Sequence, residues 1–119
     1  MKDFIPYNEA LELKQLGFDE PCFRFQNNIS HIIEEKGWLN WNEVEQFVSL
    51  PTFAQAFRFF REKYDLQCWI HDGGYVGKCC IKITGYNHDK FYFSSSEPME
   101  YEEAEFACLK ELVELVKQK

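Results

Sequence analysis

The sequence is short of positive charge. Thirteen Lys and Arg stand against twenty Asp and Glu among 119 residues, for a formal charge of −7. Phosphate backbones are held by a surplus of Lys and Arg, and anionic membrane surfaces attract basic segments. The balance therefore speaks against nucleic acid and membrane as direct partners. Long apolar runs are missing as well. None approaches the roughly 20 residues that span a bilayer, and no apolar stretch follows a basic start in the manner of a secretory signal. Pairs of the form Cys-x-x-Cys are absent, which removes the usual zinc knuckle. Glycine is sparse, at six residues, and Gly73-Gly74 with Gly77 does not open a helix as a phosphate-cradling loop must. No repeat or low-complexity tract marks a second domain, so one domain over residues 1–119 is expected.

Aromatic residues, by contrast, make up 18% of the chain, with twelve Phe and three Trp. Disordered chains are poor in such residues, so a packed core is expected. The cysteines number five: Cys22, Cys68, Cys79, Cys80 and Cys108. An odd count without a secretory signal points to free thiols in a reducing compartment, the cytoplasm.

Periodicity predicts the order α-β-β-α-β-β-β-α, a small α+β fold with an antiparallel sheet and about three helices. The first helix is expected from Pro6 to Leu16. Gly17 suits the left-handed position past its end, and Phe18 folds back on Leu13. Cys22 to Gln26 alternates as a strand with Phe23 and Phe25 on one face. Asn27-Asn28 turns the chain, and Ser30 to Glu35 fits a hairpin partner with Ile32 and Ile33 inward. Trp38 to Leu50 is ambiguous: Trp38, Leu39 and Trp41 have strand character, while Asn42 to Val48 fits a strand or one helical turn. After Pro51, Thr52 with Gln55 forms a capping box for a second helix. Phe53, Phe57, Phe60 and Tyr64 share its inner face, leaving Phe59 exposed. Strands are expected at Leu66 to His71, Tyr75 to Thr84 and Lys90 to Ser95, the first two joined by a turn at Asp72-Gly73-Gly74. Cys79, Ile81 and Ile83 share a core face, and Phe91 shares a face with Phe93. Tyr101 to Lys119 forms the last helix, with Ala104, Cys108, Leu112, Leu115 and Val116 inward. From Pro51 onward the order is α-β-β-β-α, that of double-stranded RNA-binding domains.

Candidate chemistry is thin. Cys68, His71, Cys79, Cys80 and His88 supply zinc-type ligands, but Cys68 and His71 fall on opposite faces of one strand and Cys79 and Cys80 diverge likewise. No metal and no cofactor is expected. A nucleophilic thiol needs a base or a helix N-terminus beside it, and neither Cys22 nor Cys108 has such a neighbour in sequence. Five Glu fall between Glu97 and Glu105. Carboxylates near a first helical turn complement its dipole. An exposed acidic patch also mimics phosphate and fits a basic groove. Glu105 lies by angle inside the apolar arc, where it reaches out at the helix start or accepts from Arg58 or Arg61. The interleaved Phe57, Arg58, Phe59, Phe60, Arg61 and Lys63 reads as core aromatics beside solvated charges, with Phe59 as a possible contact. Trp38 and Trp41 fit either a binding surface or a cap over the core.

The segments Pro51-Thr52-Phe53-Ala54-Gln55-Ala56-Phe57-Arg58-Phe59-Phe60-Arg61-Glu62-Lys63-Tyr64 and Tyr101-Glu102-Glu103-Ala104-Glu105-Phe106-Ala107-Cys108-Leu109-Lys110 resemble small acidic proteins of phages and prophages of Bacteroidetes-type bacteria. Ile5-Pro6-Tyr7 and Gly17 to Cys22 are similar too, whereas Asn27 to Leu50 is outside the resemblance. The resemblance implies a context, not a reaction, and such accessory proteins often inhibit host defence. The expectation is a non-enzymatic module, of anti-CRISPR type, that binds a host protein with a basic surface such as a CRISPR effector. Glu97, Glu100, Glu102 and Glu103 would supply charge, and Phe59, Trp38 and Trp41 apolar anchors. A small RNA-binding module using Arg58, Arg61, Lys78, Lys82 and Lys90 is the alternative, and a zinc or thiol protein the third class.

Overall fold

Pro6 sets the start of the first helix, α1 (Tyr7–Gln15), because a proline lacks the N–H that a first turn leaves unpaired. At the other end Gly17 takes φ 94. The Phe18 N–H donates to Leu13 O at 2.9 Å and the Gly17 N–H to Lys14 O at 3.1 Å, the two bonds of a Schellman cap. A Cβ is strained in that left-handed conformation. Gly17→Ala is expected to lower stability by roughly 1–2 kcal/mol, measured by urea unfolding.

The structure is a computed structural model that describes residues 4–72, 79–87, 90–95 and 99–118. The elements after α1 are β1 (Cys22–Asn27), β2 (Ile33–Leu39), a 3₁₀ turn at Trp41–Glu43, β3 (Phe47–Ser49), α2 (Phe53–Tyr64), β4 (Leu66–Asp72), β5 (Cys79–Gly85), β6 (Phe91–Ser94) and α3 (Tyr101–Lys117). This is an α+β fold that has, among the described residues, three α-helices and two antiparallel three-stranded sheets, β2-β1-β3 and β4-β5-β6. The expected element order holds, with β3 added from the ambiguous stretch. Contacts divide the chain into Met1–Ala56 and Phe57–Lys119.

In the first unit Leu13, Phe18, Cys22, Phe25, Val48 and Leu50 are buried. The β1–β2 ladder slips between the pairs Cys22–Leu39 and Arg24–Glu35, so that Phe23 alone faces Lys36, Gly37 and Trp38. This bulge breaks the simple alternation expected for β1. It buries Cys22 and Phe25 and leaves Phe23 half-buried against the Trp38 ring at 5.6 Å. Ile32 and Ile33 are exposed, not inward. Ile33 pairs with Gln26, and Gln26 points away from the face on which its neighbour Phe25 is buried. Asn40 accepts from the Asn42 N–H at 3.1 Å and turns the chain after β2. Asn42 then donates to Phe18 O at 2.9 Å and accepts from the Ser49 N–H at 2.8 Å.

The α2 capping box forms as expected: Gln55 N–H donates to Thr52 Oγ1 at 3.1 Å and Thr52 N–H to Gln55 Oε1 at 3.0 Å. The exposure expected for Phe59 is corrected. Ala56 is fully buried, and one turn on Phe59 and Phe60 straddle it at i+3 and i+4, so both are buried. Phe57 is only half-buried.

In the second unit one face of β4-β5-β6 packs on α3. Ile81, Ala104 and Cys108 form its centre, with Phe57, Cys68, Ile70 and Phe93 against them. Ile81 and Ile83 are buried as the alternation predicted, whereas Cys79, expected with them, is half-buried and Cys80, on the opposite face, is buried. Phe91 and Phe93 do not share a face. A slip between Ile83–Phe93 and Thr84–Phe91 makes Tyr92 the extra residue, which turns Phe91 to the other side. On α3 the buried set is Ala104, Cys108, Leu109, Leu112, Val113 and Val116, while Leu115 is half-buried. The turn expected at Asp72-Gly73-Gly74 lies outside the described residues.

Candidate interaction site on the edge strand

β2 is an outer strand, paired on one side by β1. Edges of this kind invite uncontrolled pairing, and natural sheets guard them with charge and bulges. Both devices are present here. Glu34, Glu35 and Lys36 occupy the middle of the strand, with Glu35 paired to Arg24 and Lys36 to Glu34 at 3.3 Å. The Arg24 guanidinium also lies 4.0 Å over the Phe4 ring. Gly37, at φ 39, carries the bulge. Just past it Trp38 is 63% exposed, and Leu39 and Ile33 are exposed beside it on the same strand.

The hairpin tip continues this apolar character with Ile29 and Ile32 exposed. Asn27 Oδ1 shapes the tip by accepting from the Ile29 and Ser30 N–H groups at 2.8 and 3.2 Å. An open groove of about 400 Å³ lies there, lined by Asn28, Ile29, Val44, Glu45 and Gln46. Its walls are tied together. Asn28 N–H donates to Gln46 O at 2.7 Å, and Tyr7 Oη donates to Asn28 Oδ1 at 2.6 Å. Lys14 Nζ donates to the carbonyls of Val44, Glu45 and Phe47 at 3.2, 3.0 and 2.7 Å. Burial holds the Lys14 ammonium below its ordinary pKa, and Glu45 nearby partly offsets this.

Trp41 takes the other of its two expected roles. It is half-buried, stacked on Phe25 at 4.1 Å, with its indole N–H donating to Cys22 O at 2.8 Å. It caps the core rather than offering a free surface. Phe59, at 4% exposure, offers none either. Glu100, Glu102 and Glu103 are exposed at the start of α3 in the second unit, and Glu105 is half-buried. Glu103 Oε1 accepts from the Glu100 N–H at 3.2 Å, so two of these carboxylates also serve the helix cap. Glu97 lies outside the described residues.

The chain matches no protein-family model, no curated protein and no solved structure.

Burial pushes Cys22 up to about 12, the Ser49 hydroxyl lowering it and Glu20 raising it further, so the thiol stays protonated at neutral pH. Cys68 and Cys108 are joined in a disulfide, which corrects the expectation of five free thiols. Cys22, Cys79 and Cys80 remain free. Among the described residues no three His, Cys, Asp or Glu side chains converge to hold a metal ion, and no helix is long and apolar enough to cross a membrane. Sequence reasoning missed the exposure of Ile29, Ile32, Ile33, Val44, Trp69 and Phe91. For Trp69 the signal was present, since it shares strand parity with Gln67 and His71 and opposes Cys68 and Ile70.

Proposed function

We propose that this chain is a non-enzymatic protein-interaction module, a phage- or prophage-encoded inhibitor that binds a basic, nucleic-acid-handling host protein in the manner of an anti-CRISPR protein. The observation that carries this reading is Trp38. An indole 63% exposed beside a bulge, on a strand otherwise guarded by charge, is where binding energy concentrates. The guarded backbone argues that the partner is held by side chains, with Trp38 and Leu39 as anchors, rather than by an added strand. The charge of −7 supports a basic partner by steering and complementarity, and a CRISPR effector's nucleic-acid channel is such a surface. The setting this role requires is the host-cell cytoplasm.

The test is capture from nuclease-treated host lysate with the wild-type chain and with Trp38→Ala/Leu39→Ser. The expected result is one basic host protein retained stoichiometrically by the wild type, with at least tenfold weaker binding by the variant. Equal retention by both proteins removes the edge strand from recognition. Glu102→Lys probes the acidic helix start and keeps both members of the Glu100–Glu103 capping box. It is expected to raise the Kd and flatten its salt dependence.

A further inference from the structure

The second sheet has a face that α3 does not use. Its described positions include Gln67, Trp69 and His71 on β4, Cys80, Lys82 and Thr84 on β5, and Phe91 on β6; Cys80, at the His71 end, is buried and the Trp69–Lys82–Phe91 end is open. Trp69 is 52% exposed and Phe91 58%. Thr84 lies between them. The Trp69 indole N–H donates to Thr84 Oγ1 at 3.0 Å, and Phe91 is Thr84's partner across the β5–β6 ladder. The hydrogen bond pins the indole against the sheet, so the ring has little rotamer freedom left to lose on binding. The β6 bulge turns Phe91 to the same side. Two aromatic rings thus sit on the outer strands, separated by two strand spacings, roughly 9–10 Å.

The charge of this face is opposite to that of the chain. No described position on it holds Asp or Glu, although the sequence has twenty acids to thirteen bases. Lys82 is exposed in register between Trp69 and Ser94. Separated π-faces, a cation between them and neutral hydrogen-bonding side chains around them suit an anionic ligand with flat apolar groups. Unpaired bases joined by phosphates have that composition. Duplex bases do not expose their faces.

We infer that the open face of β4-β5-β6 is a binding site for a short single-stranded nucleic acid, with one base on Trp69, one on Phe91, and Lys82 on the intervening phosphate. The site is distinct from the Trp38 edge and does not depend on it. The net negative charge limits it to low-salt or tethered binding, such as a strand already held by a host protein.

The experiment is fluorescence anisotropy of labelled single-stranded octanucleotides, RNA and DNA, with the full chain at low salt. Saturable binding is expected, with a log–log salt slope of about −0.7 per phosphate neutralised. Trp69→Leu and Phe91→Leu keep apolar bulk and remove the π-face, and each should weaken binding about tenfold. Trp69→Phe should retain most of it, and Lys82→Gln should make the salt slope shallower. Trp38→Ala should change nothing. Circular dichroism and thermal melting confirm that each variant is folded. Absence of saturable binding overturns the proposal. So does affinity unchanged in both folded leucine variants, equal binding of a duplex octamer, or the loss of the captured host protein in those variants in place of nucleic acid.

Discussion

Replacing Phe59 with alanine is expected to lower folding stability by about 3–5 kcal/mol. The side chain is 4% exposed and meets the rings of Phe60 at 5.4 Å and Tyr64 at 5.6 Å, both edge to face. Aromatic pairs of this geometry add roughly 0.5–1.5 kcal/mol beyond buried area. Lys63 Nζ lies 5.6 Å from the Phe59 ring centroid on the same helix. Truncation removes the ring from a site whose neighbour Phe60 is fully buried, so collapse into the void is restricted. Urea unfolding at equilibrium reads the loss as a lower midpoint with an unchanged slope. An exposed binding anchor behaves differently: its truncation stays within about 0.5 kcal/mol in stability and appears only in affinity. A stable Phe59→Ala protein with a weakened partner would restore the anchor role that burial denies.

The reason Phe59 was misjudged from sequence is specific. The large aromatics Phe53, Phe57, Phe60 and Tyr64 define one stripe, but the stripe is centred on Ala56, which carries almost no hydrophobic signal of its own. Centring on Ala56 brings Phe59 in and moves Phe57 to the flank. What was legible elsewhere was local. The Schellman cap at Gly17 and the Thr52–Gln55 box follow from residues three to five apart, and both form. The strand parity of Ile81 and Ile83 also held, because their stretch of β5 pairs with β4 in unbroken register. Two of the wrong face assignments lie at bulges, one beside Phe23 and one at Tyr92, while Ile32 and Ile33 were misplaced in the regular part of the hairpin, where Ile33 pairs with Gln26 away from the Phe25 face. A bulge reverses inside and outside beyond it, and its position is set by a partner strand rather than by the sequence that carries it.

The same distinction governs the candidate surfaces. The acidic start of α3 was visible because charge at a helix terminus is a local property, and Glu100 and Glu103 do cap the helix there. For Trp38 the sequence left a binding surface and a core cap both open, since its exposure depends on β2 lying at an edge and on the slip opposite Phe23. On the second sheet Trp69 follows plain strand parity, and only Phe91 reaches its face through the second slip. Each apolar surface thus owes one large side chain, Trp38 or Phe91, to irregular pairing, which re-aims it without changing the residues that build the core.

The bond between Cys68 and Cys108 is expected to add about 4 kcal/mol to stability, from the chain entropy lost when a loop of this length is closed in the unfolded state. The sequence separation is 40 residues and the Cα–Cα distance 6.3 Å. That distance falls inside the roughly 4.4–6.8 Å over which disulfides form. β4 and α3 contribute one sulfur each, and both residues belong to the apolar cluster around Ile81 and Ala104. Thiol titration in denaturant should find three reactive groups without reductant and five with it, since Cys22, Cys79 and Cys80 are free. Unfolding in urea should move to a lower midpoint on reduction, and Cys68→Ala/Cys108→Ala should match the reduced protein while losing all response to reductant. Five thiols before reduction would exclude the bond. The cross-link joins the strand that carries Trp69 to the helix that begins with the acidic cap. Reduction should therefore loosen both recognition elements of the second unit and leave Trp38, in the first, unaffected. A reducing cytoplasm opposes such a bond. Octanucleotide binding is expected to fall on reduction, while host-partner binding keeps the Trp38 contribution and loses only what the acidic helix start adds; a host affinity abolished by reduction would show that the edge strand does not carry recognition.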